Sequence, residues 1–190
     1  MGWLTVNTLL DEPVVQRDET FYMTHDALGG KNVNGAIFLD SGISLATRPY
    51  ALILYGHNMK SGAMFGCLRN FENIGFYRSN PFIRLDTLYE DGQYVIFAEG
   101  VVSTEPTALH YLDFFSLTSS RVQERQKAIA ALLSASIHTC PIDVRPDDQL
   151  LLLVTCTEQD SDRRMVAARR VRDDESGAML RALAQTSKRK

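Results

Sequence analysis

The sequence has little of what marks several common classes of protein. Its 190 residues include only three cysteines, widely spaced, so neither a disulfide framework nor a CxxC-type zinc or redox site is indicated. The formal charge is −3, and no sustained basic stripe is present that would neutralise nucleic-acid phosphates. We therefore expect no nucleic-acid partner and no metal or other cofactor.

Long hydrophobic runs are also lacking. No stretch of about 18 apolar residues is present to cross a bilayer. The start, MGWLTVNTLL, does not have the charged-then-apolar layout of a signal peptide, and Val6 breaks the myristoylation pattern. We expect the chain as given to be soluble, with any membrane anchor lying outside it.

The composition, 45% hydrophobic and 23% charged, is that of one ordinary globular domain. Short β-type runs bounded by turn residues dominate the chain. They are WLTV (3–6), GAIFLD (35–40), ALILY (51–55), PFIRLD (81–86), QYVIFAEGVV (93–102), LDFFSL (112–117), LLLLVT (150–155) and RMVAARRV (164–171). Eight strands around one core predict a mainly β fold, a barrel or a sandwich.

Helical spacing appears mainly in residues 119–137, where apolar residues recur every three or four positions. Ser120 and Gln123 make a capping-box start for this helix. A shorter helical turn is predicted at 63–71. The domain is expected to end at residue 172, and residues 173–190 form a polar tail with weak helical periodicity and frayed last residues.

Cys156 stands where the apolar strand LLLLVT gives way to polar residues, so its thiol is expected at the rim of the core. A thiol in that position can act as a nucleophile if a base or a cation lowers its pKa. The alternative is that Cys156 is a small buried apolar residue.

His57 follows a second apolar strand, ALILY, through the flexible Gly56. It is the strongest histidine for the role of partner base, although a structural, hydrogen-bonded role remains open. His25 and His138 fit that structural role better, and His110 is a weak reserve.

Two arginines follow Cys156 after a loop of hairpin length. Arg164 is expected to open the next strand and to place its guanidinium near the thiol, where a fixed cation can stabilise an oxyanion. The period-2 rule then turns Arg163 to the opposite face, as a solvated bystander. A solvated strand end remains the alternative for both.

Taken together, these motifs resemble the class B sortases, cysteine transpeptidases of Gram-positive cell surfaces. The matching segments are YGHNMKSGAMFGCLRNF (55–71), LLLVTC (151–156) and RRMVAARRV (163–171), with GWLTV, PVVQ, FYMTHDALGGKNVNGAIFLD (21–40) and YVIFA (94–98) in family order. The resemblance extends over nearly the whole chain to about Val171. It implies an eight-stranded sortase-type β-barrel with a helix inserted before the strand that carries the cysteine, the place of helix 119–137.

The resemblance also implies the reaction and the roles. Cys156, His57 and Arg164 take the catalytic positions, and Thr155 and Asn58 are the expected substrate contacts. Cys156 would attack a sorting-motif peptide of a secreted surface protein. An amine of a cell-wall precursor or a pilin lysine would then resolve the thioacyl-enzyme. The site of action would be the extracellular face of the membrane or the cell wall.

The chain departs from the family pattern in two places. Leu152 replaces the first threonine of Thr-Leu-x-Thr-Cys, a change in strand packing. The family's N-terminal anchor and helical segment are absent from this chain. Cys67 and Cys140 match no catalytic position, and whether they pair is left open. A cysteine hydrolase using the same three residues and a non-catalytic β-barrel binding module are the alternative functions.

Overall fold

The computed structural model describes residues 2–18, 20–47 and 49–190. The strands are β1 (Gly2–Val6), β2 (Leu10–Val15), β3 (Ile37–Leu39), β4 (Ala51–Tyr55), β5 (Phe82–Thr87), β6 (Gln93–Ser103), β7 (His138–Thr139), β8 (Leu150–Cys156), β9 (Asp162–Arg170) and β10 (Lys188–Arg189). The helices are α1 (Ile74–Ser79), α2 (Val122–Ala135) and α3 (Gly177–Gln185). Short 3-10 segments lie at Phe21–Met23, Leu45–Thr47, Phe65–Glu72 and Phe114–Leu117.

Eight of these strands close into a barrel in the order β1-β2-β3-β4-β8-β9-β6-β5. Most neighbours are antiparallel, but β2–β3 and β4–β8 are parallel pairs. β7 and β10 form a separate two-stranded sheet. The predicted mainly β barrel of eight strands is therefore confirmed.

The strand β8 runs through the centre of the core, as its unbroken apolar sequence predicts. Residues 151–154 have no exposed surface, and β4 beside it is buried from residue 51 to residue 54. Burying a side chain such as Leu153 contributes about 1.5–3 kcal/mol. These two strands form a rigid base for whatever their ends carry.

One predicted strand, at 112–117, is wrong. Asp113 accepts a hydrogen bond from the backbone N–H of Phe115 and starts a 3-10 turn over Phe114–Leu117. The eighth barrel strand is β2 instead, which pairs with β1 through a register that places Pro13 opposite Trp3. A proline within a run argues against a strand, and this is why the segment escaped prediction.

The predicted helices are present with altered ends. α2 begins three residues later and ends two residues earlier than the predicted 119–137. The capping box of Ser120 and Gln123 does not form, because Arg121 occupies the N-cap and Ser119 donates instead to the Glu124 carboxylate. The turn predicted at 63–71 is the 3-10 segment Phe65–Glu72. In the described part of the chain, no helix has the length and apolarity needed to span a membrane.

The C-terminal segment is not frayed as predicted. Ser176 caps α3 by accepting from the Met179 N–H, and Leu180 and Ala184 are buried against the domain. The Arg78 guanidinium donates to the Ser187 carbonyl, and the following β10 pairs with β7. Residues 173–190 therefore belong to the folded unit, and their polar composition reflects the face turned to water.

Candidate active site

The parallel pairing of β4 and β8 brings their carboxyl ends to one edge of the barrel. Tyr55 is the register partner of Val154, and His57 and Cys156 each follow two residues later. The structure thus places the two sequence-predicted residues at the same level on neighbouring strands. The pairing of strands, which the sequence does not state, is what makes them neighbours.

Both residues line one cleft of about 300 Å³, formed mostly by apolar surface. Its wall residues are Met23, Phe38, Asp40, Tyr55, Gly56, His57, Asn58, Phe115, Val154, Thr155, Cys156 and Arg163. The shape and lining are those of a site for an extended organic ligand. Phe115, with 70% of its surface exposed, stands at its edge.

The imidazole of His57 is held by the loop that precedes β3. Its Nε2 lies 2.6 Å from the Met23 carbonyl oxygen, and since a carbonyl only accepts, Nε2 carries the proton. Gly35, with φ of +62°, passes so close that a Cβ would overlap the Tyr22 carbonyl and lie 3.0 Å from His57 Cδ2. This arrangement fixes the ring and leaves Nδ1 to exchange a proton.

The thiol of Cys156 is exposed at the strand end. Two hydrogen bonds tie this end to the histidine-bearing segment. Asn58 Nδ2 donates to the Cys156 carbonyl oxygen at 2.9 Å, and Thr155 Oγ1 donates to the Gly56 carbonyl oxygen at 2.6 Å. The backbones that carry the thiol and the imidazole are therefore fastened to each other.

The arginines are arranged differently from the sequence-based expectation. β9 begins at Asp162, two residues earlier than predicted, and Cys156 is therefore the register partner of Arg163 while Thr155 is that of Arg164. Directly opposed residues point to the same face of a sheet, so Arg163 shares the face of the cysteine and lines the cleft. The prediction that Arg163 points away is wrong, and with it the geometric reason for preferring Arg164.

The two guanidinium groups also differ in their partners. Arg163 Nη1 donates to the carbonyl oxygens of Asp160 at 2.6 Å and Asp162 at 2.9 Å, neutral groups of the β8–β9 turn. Arg164 Nη1 lies 2.5 Å from a Glu72 carboxylate oxygen and 3.3 Å from one of Glu99. The charge of Arg164 is thus neutralised within the fold, whereas that of Arg163 is offered to the cleft.

Behind the cysteine strand, Glu99 is part of a buried polar cluster. Its side chain has no exposed surface, and burial raises its pKa to about 7 even though the Arg164 guanidinium lowers it. His138 Nε2 lies 2.8 Å from the Phe71 carbonyl oxygen and 3.8 Å from Glu99 Oε2. His138 is therefore the structural histidine that its sequence setting indicates.

Sequence reasoning passed over two residues of the cleft. Asp40 directly follows the buried strand β3, the same signal that singled out His57 and Cys156, but a lone aspartate after a strand is a common turn residue. Phe115 was assigned to a strand that does not exist. All three cysteines are free, and the Cys67 thiol donates to the Met64 carbonyl oxygen.

Known proteins similar to this chain were then compared. No family model matches. The chain is 31% identical over 171 residues to sortase B of Listeria monocytogenes, covering 87% of this chain and 67% of the relative. It is 25% identical over 160 residues to sortase B of Staphylococcus aureus, covering 83% of this chain and 63% of that relative. The chain thus spans roughly two thirds of the length of these curated relatives.

Solved structures agree with this similarity. Clostridium perfringens sortase B superposes with a TM-score of 0.78 at 26% identity, covering 90% of this chain and 93% of that one. Bacillus anthracis sortase B, in complex with AAEK1, gives a TM-score of 0.77 at 26% identity, covering 90% of this chain and 78% of that one. Barrel, inserted helix and cleft are thus set in a common architecture.

Proposed function

Because the chain belongs to the class B sortases, a family of cysteine transpeptidases, we propose that it cleaves a sorting-motif peptide and transfers the acyl fragment to an amine. The observation that carries the proposal is the meeting of His57, Cys156 and Arg163 around one cleft at the ends of β4, β8 and β9. A nucleophile, a proton carrier and an unneutralised cation are the three groups that acyl transfer needs.

In the first step the Cys156 sulfur attacks a backbone carbonyl carbon of the peptide, forming a C–S bond. The C–N bond then breaks, and His57 gives a proton to the departing amine. In the second step an acceptor amine attacks the thioester, loses a proton and forms a new amide, while the sulfur leaves as thiolate. No water or cofactor is consumed.

The groups around the thiol support these steps. Nδ1 of His57 is the ring nitrogen left free to carry the proton, because Nε2 is bound to the Met23 carbonyl. Arg163 supplies the cation for the substrate carbonyl as negative charge develops on its oxygen. Thr155 and Asn58 line the cleft, but their side chains already fasten the two strand ends, so we assign them a positioning role beside any substrate contact.

The acceptor and the place of action follow from kinship. We propose that the acceptor is an amine of a cell-wall precursor or a pilin lysine. We place the reaction at the outer face of the cell membrane or in the cell wall, where secreted surface proteins meet such amines.

The reaction is tested with fluorogenic peptides that carry sorting motifs, incubated with and without an added amine. The expected result is a new amide product detected by mass spectrometry, lost together with cleavage in Cys156→Ala. Cleavage without amide product, whatever amine is supplied, would identify a hydrolase. Peptide binding with neither product, in protein whose Cys156 still alkylates, would identify a binding module.

The assignment of the cation is tested by a matched pair of substitutions. Arg163→Lys is expected to lower kcat/KM about 100-fold, because lysine lacks the planar fork of donors. Arg164→Lys should change kcat/KM by less than about fivefold, since an ammonium still pairs with Glu72 and Glu99. The reverse ranking, in variants with unchanged unfolding temperature, would return the catalytic role to Arg164.

A further inference from the structure

The strongest unassigned feature of the cleft is Asp40. Its side chain lines the same cleft as Cys156, yet the residue is only 6% exposed. Oδ1 accepts from the Gly42 N–H at 2.9 Å, and Oδ2 accepts from the Tyr55 hydroxyl at 3.2 Å. Both donors are neutral, and no ion pair to Asp40 occurs in the described part of the chain.

A carboxylate taken this far out of water needs further donors. Its two oxygens offer about four acceptor positions, and the protein fills two of them. A buried charge without a charged partner is costly, and a ligand group that brings a positive charge removes that cost. We propose that Asp40 is a specificity residue that binds a cationic side chain, an ammonium or guanidinium, of the peptide substrate.

The strand register gives the position of that side chain in the peptide. Phe38 is the register partner of Tyr55, Tyr55 that of Val154, and Cys156 lies two residues beyond Val154. Asp40 lies two residues from Phe38 in the other direction, so it is about four strand residues, or about 13 Å, below the level of Cys156. It is also two strand spacings, about 10 Å, to the side.

The two residues are therefore about 16 Å apart, the span of about five residues of extended peptide. The reach of the aspartate and of a lysine shortens this to about four residues on the amino-terminal side of the scissile carbonyl. Between the two ends the floor is apolar, formed by Phe38, Tyr55 and Val154. The cleft thus fits a cationic residue, an apolar stretch and then the carbonyl held near Arg163.

This inference rests on the proposed function for the position of the peptide, but its test does not depend on turnover. Labelled peptides with Lys, Gln, Leu or Glu, placed three, four or five residues before the scissile bond, are titrated onto Cys156→Ala by fluorescence polarisation. The same titration is made with Cys156→Ala combined with Asp40→Asn. Asparagine keeps an acceptor for Gly42 but removes the charge.

We expect the Lys peptide to bind Cys156→Ala about tenfold or more tightly than the Leu peptide at one of these positions, and Glu to bind weakest. The Lys advantage should fall to about twofold or less with Asp40→Asn. Asp91→Asn, at an exposed turn, serves as the matched control and should leave it intact. Alkylation of Cys156 at an unchanged rate in single Asp40→Asn shows that the cleft is preserved.

Equal preference for Lys in the presence and absence of Asp40, or no binding by any peptide of the panel, would overturn the inference. Asp40-dependent binding of Lys peptides without any cleavage by wild-type protein would retain the inference and remove the proposed transpeptidation. Cleavage that ignores Asp40 would do the opposite.

Discussion

Glu99 predicts an unusual dependence of stability on pH. In the folded protein burial raises the pKa of this carboxyl from its ordinary value of 4.5 to about 7. The charges that act on it are those of Arg164, Glu72 and Arg189, with His138 beside it. Between pH 4.5 and 7 the folded state holds a proton that the unfolded state has released, so stability falls as pH rises through this window.

The size of the effect follows from the pKa difference. Each pKa unit corresponds to about 1.4 kcal/mol, so the contribution that is fully present below pH 4.5 and lost above pH 7 is about 3 kcal/mol. Glu99→Gln removes the titration while keeping the shape of the side chain. The difference in unfolding free energy between variant and wild type should therefore grow in favour of the variant by about 3 kcal/mol from pH 4.5 to pH 8.

The assay is urea denaturation followed by far-UV circular dichroism at four pH values across that range. Glu72→Gln is the control, because Glu72 contacts the same Arg164 but is about half exposed. Its difference from wild type should change little over the window. A constant difference between Glu99→Gln and wild type at all four pH values would refute the reasoning and show that Glu99 is ionised throughout.

Three further predictions concern packing and thiols. Gly100→Ala should lower the free energy of unfolding by about 1–3 kcal/mol in the same assay, because a Cβ there overlaps the Ala135 carbonyl, whereas Gly177→Ala meets nothing and should not destabilise. Deletion of residues 173–190 should cost at least about 2 kcal/mol and lower the melting temperature, since it removes buried α3; an unchanged melting temperature would mean a dispensable tail. Iodoacetamide at pH 7.5 should label Cys156 and spare Cys67, whose thiol pKa burial raises to about 11; peptide mass mapping showing fast labelling of Cys67 would contradict this.

Much of the barrel could be predicted because its strands carry their own signals. Continuous apolar runs such as ALILY and LLLLVT are legible in the sequence, and both became buried strands. The errors fall where a local polar contact or a tertiary partner decides the structure. Asp113 turned an apolar run into a 3-10 turn, and β2 formed around Pro13 because β1 and β3 supplied its partners.

The site was predicted residue by residue more successfully than contact by contact. His57 and Cys156 stand at strand ends that the sequence marks, so their positions were accessible. Which arginine faces the thiol was not, because it depends on where β9 starts: a shift of one residue in register turns every side chain of a strand to the other face. The loop length from Cys156 to the arginines does not fix that register.

The register also explains why two adjacent arginines serve the fold better than one. Arg163, on the cleft face, must remain unneutralised if it is to meet negative charge on a substrate, and only turn carbonyls hold it. Arg164, on the other face, ties β9 to the carboxylates of Glu72 and Glu99, a partly buried contact that fixes the strand carrying its neighbour. Since a catalytic cation displaced by 1 Å loses much of its effect, the second arginine provides the rigidity that the first requires.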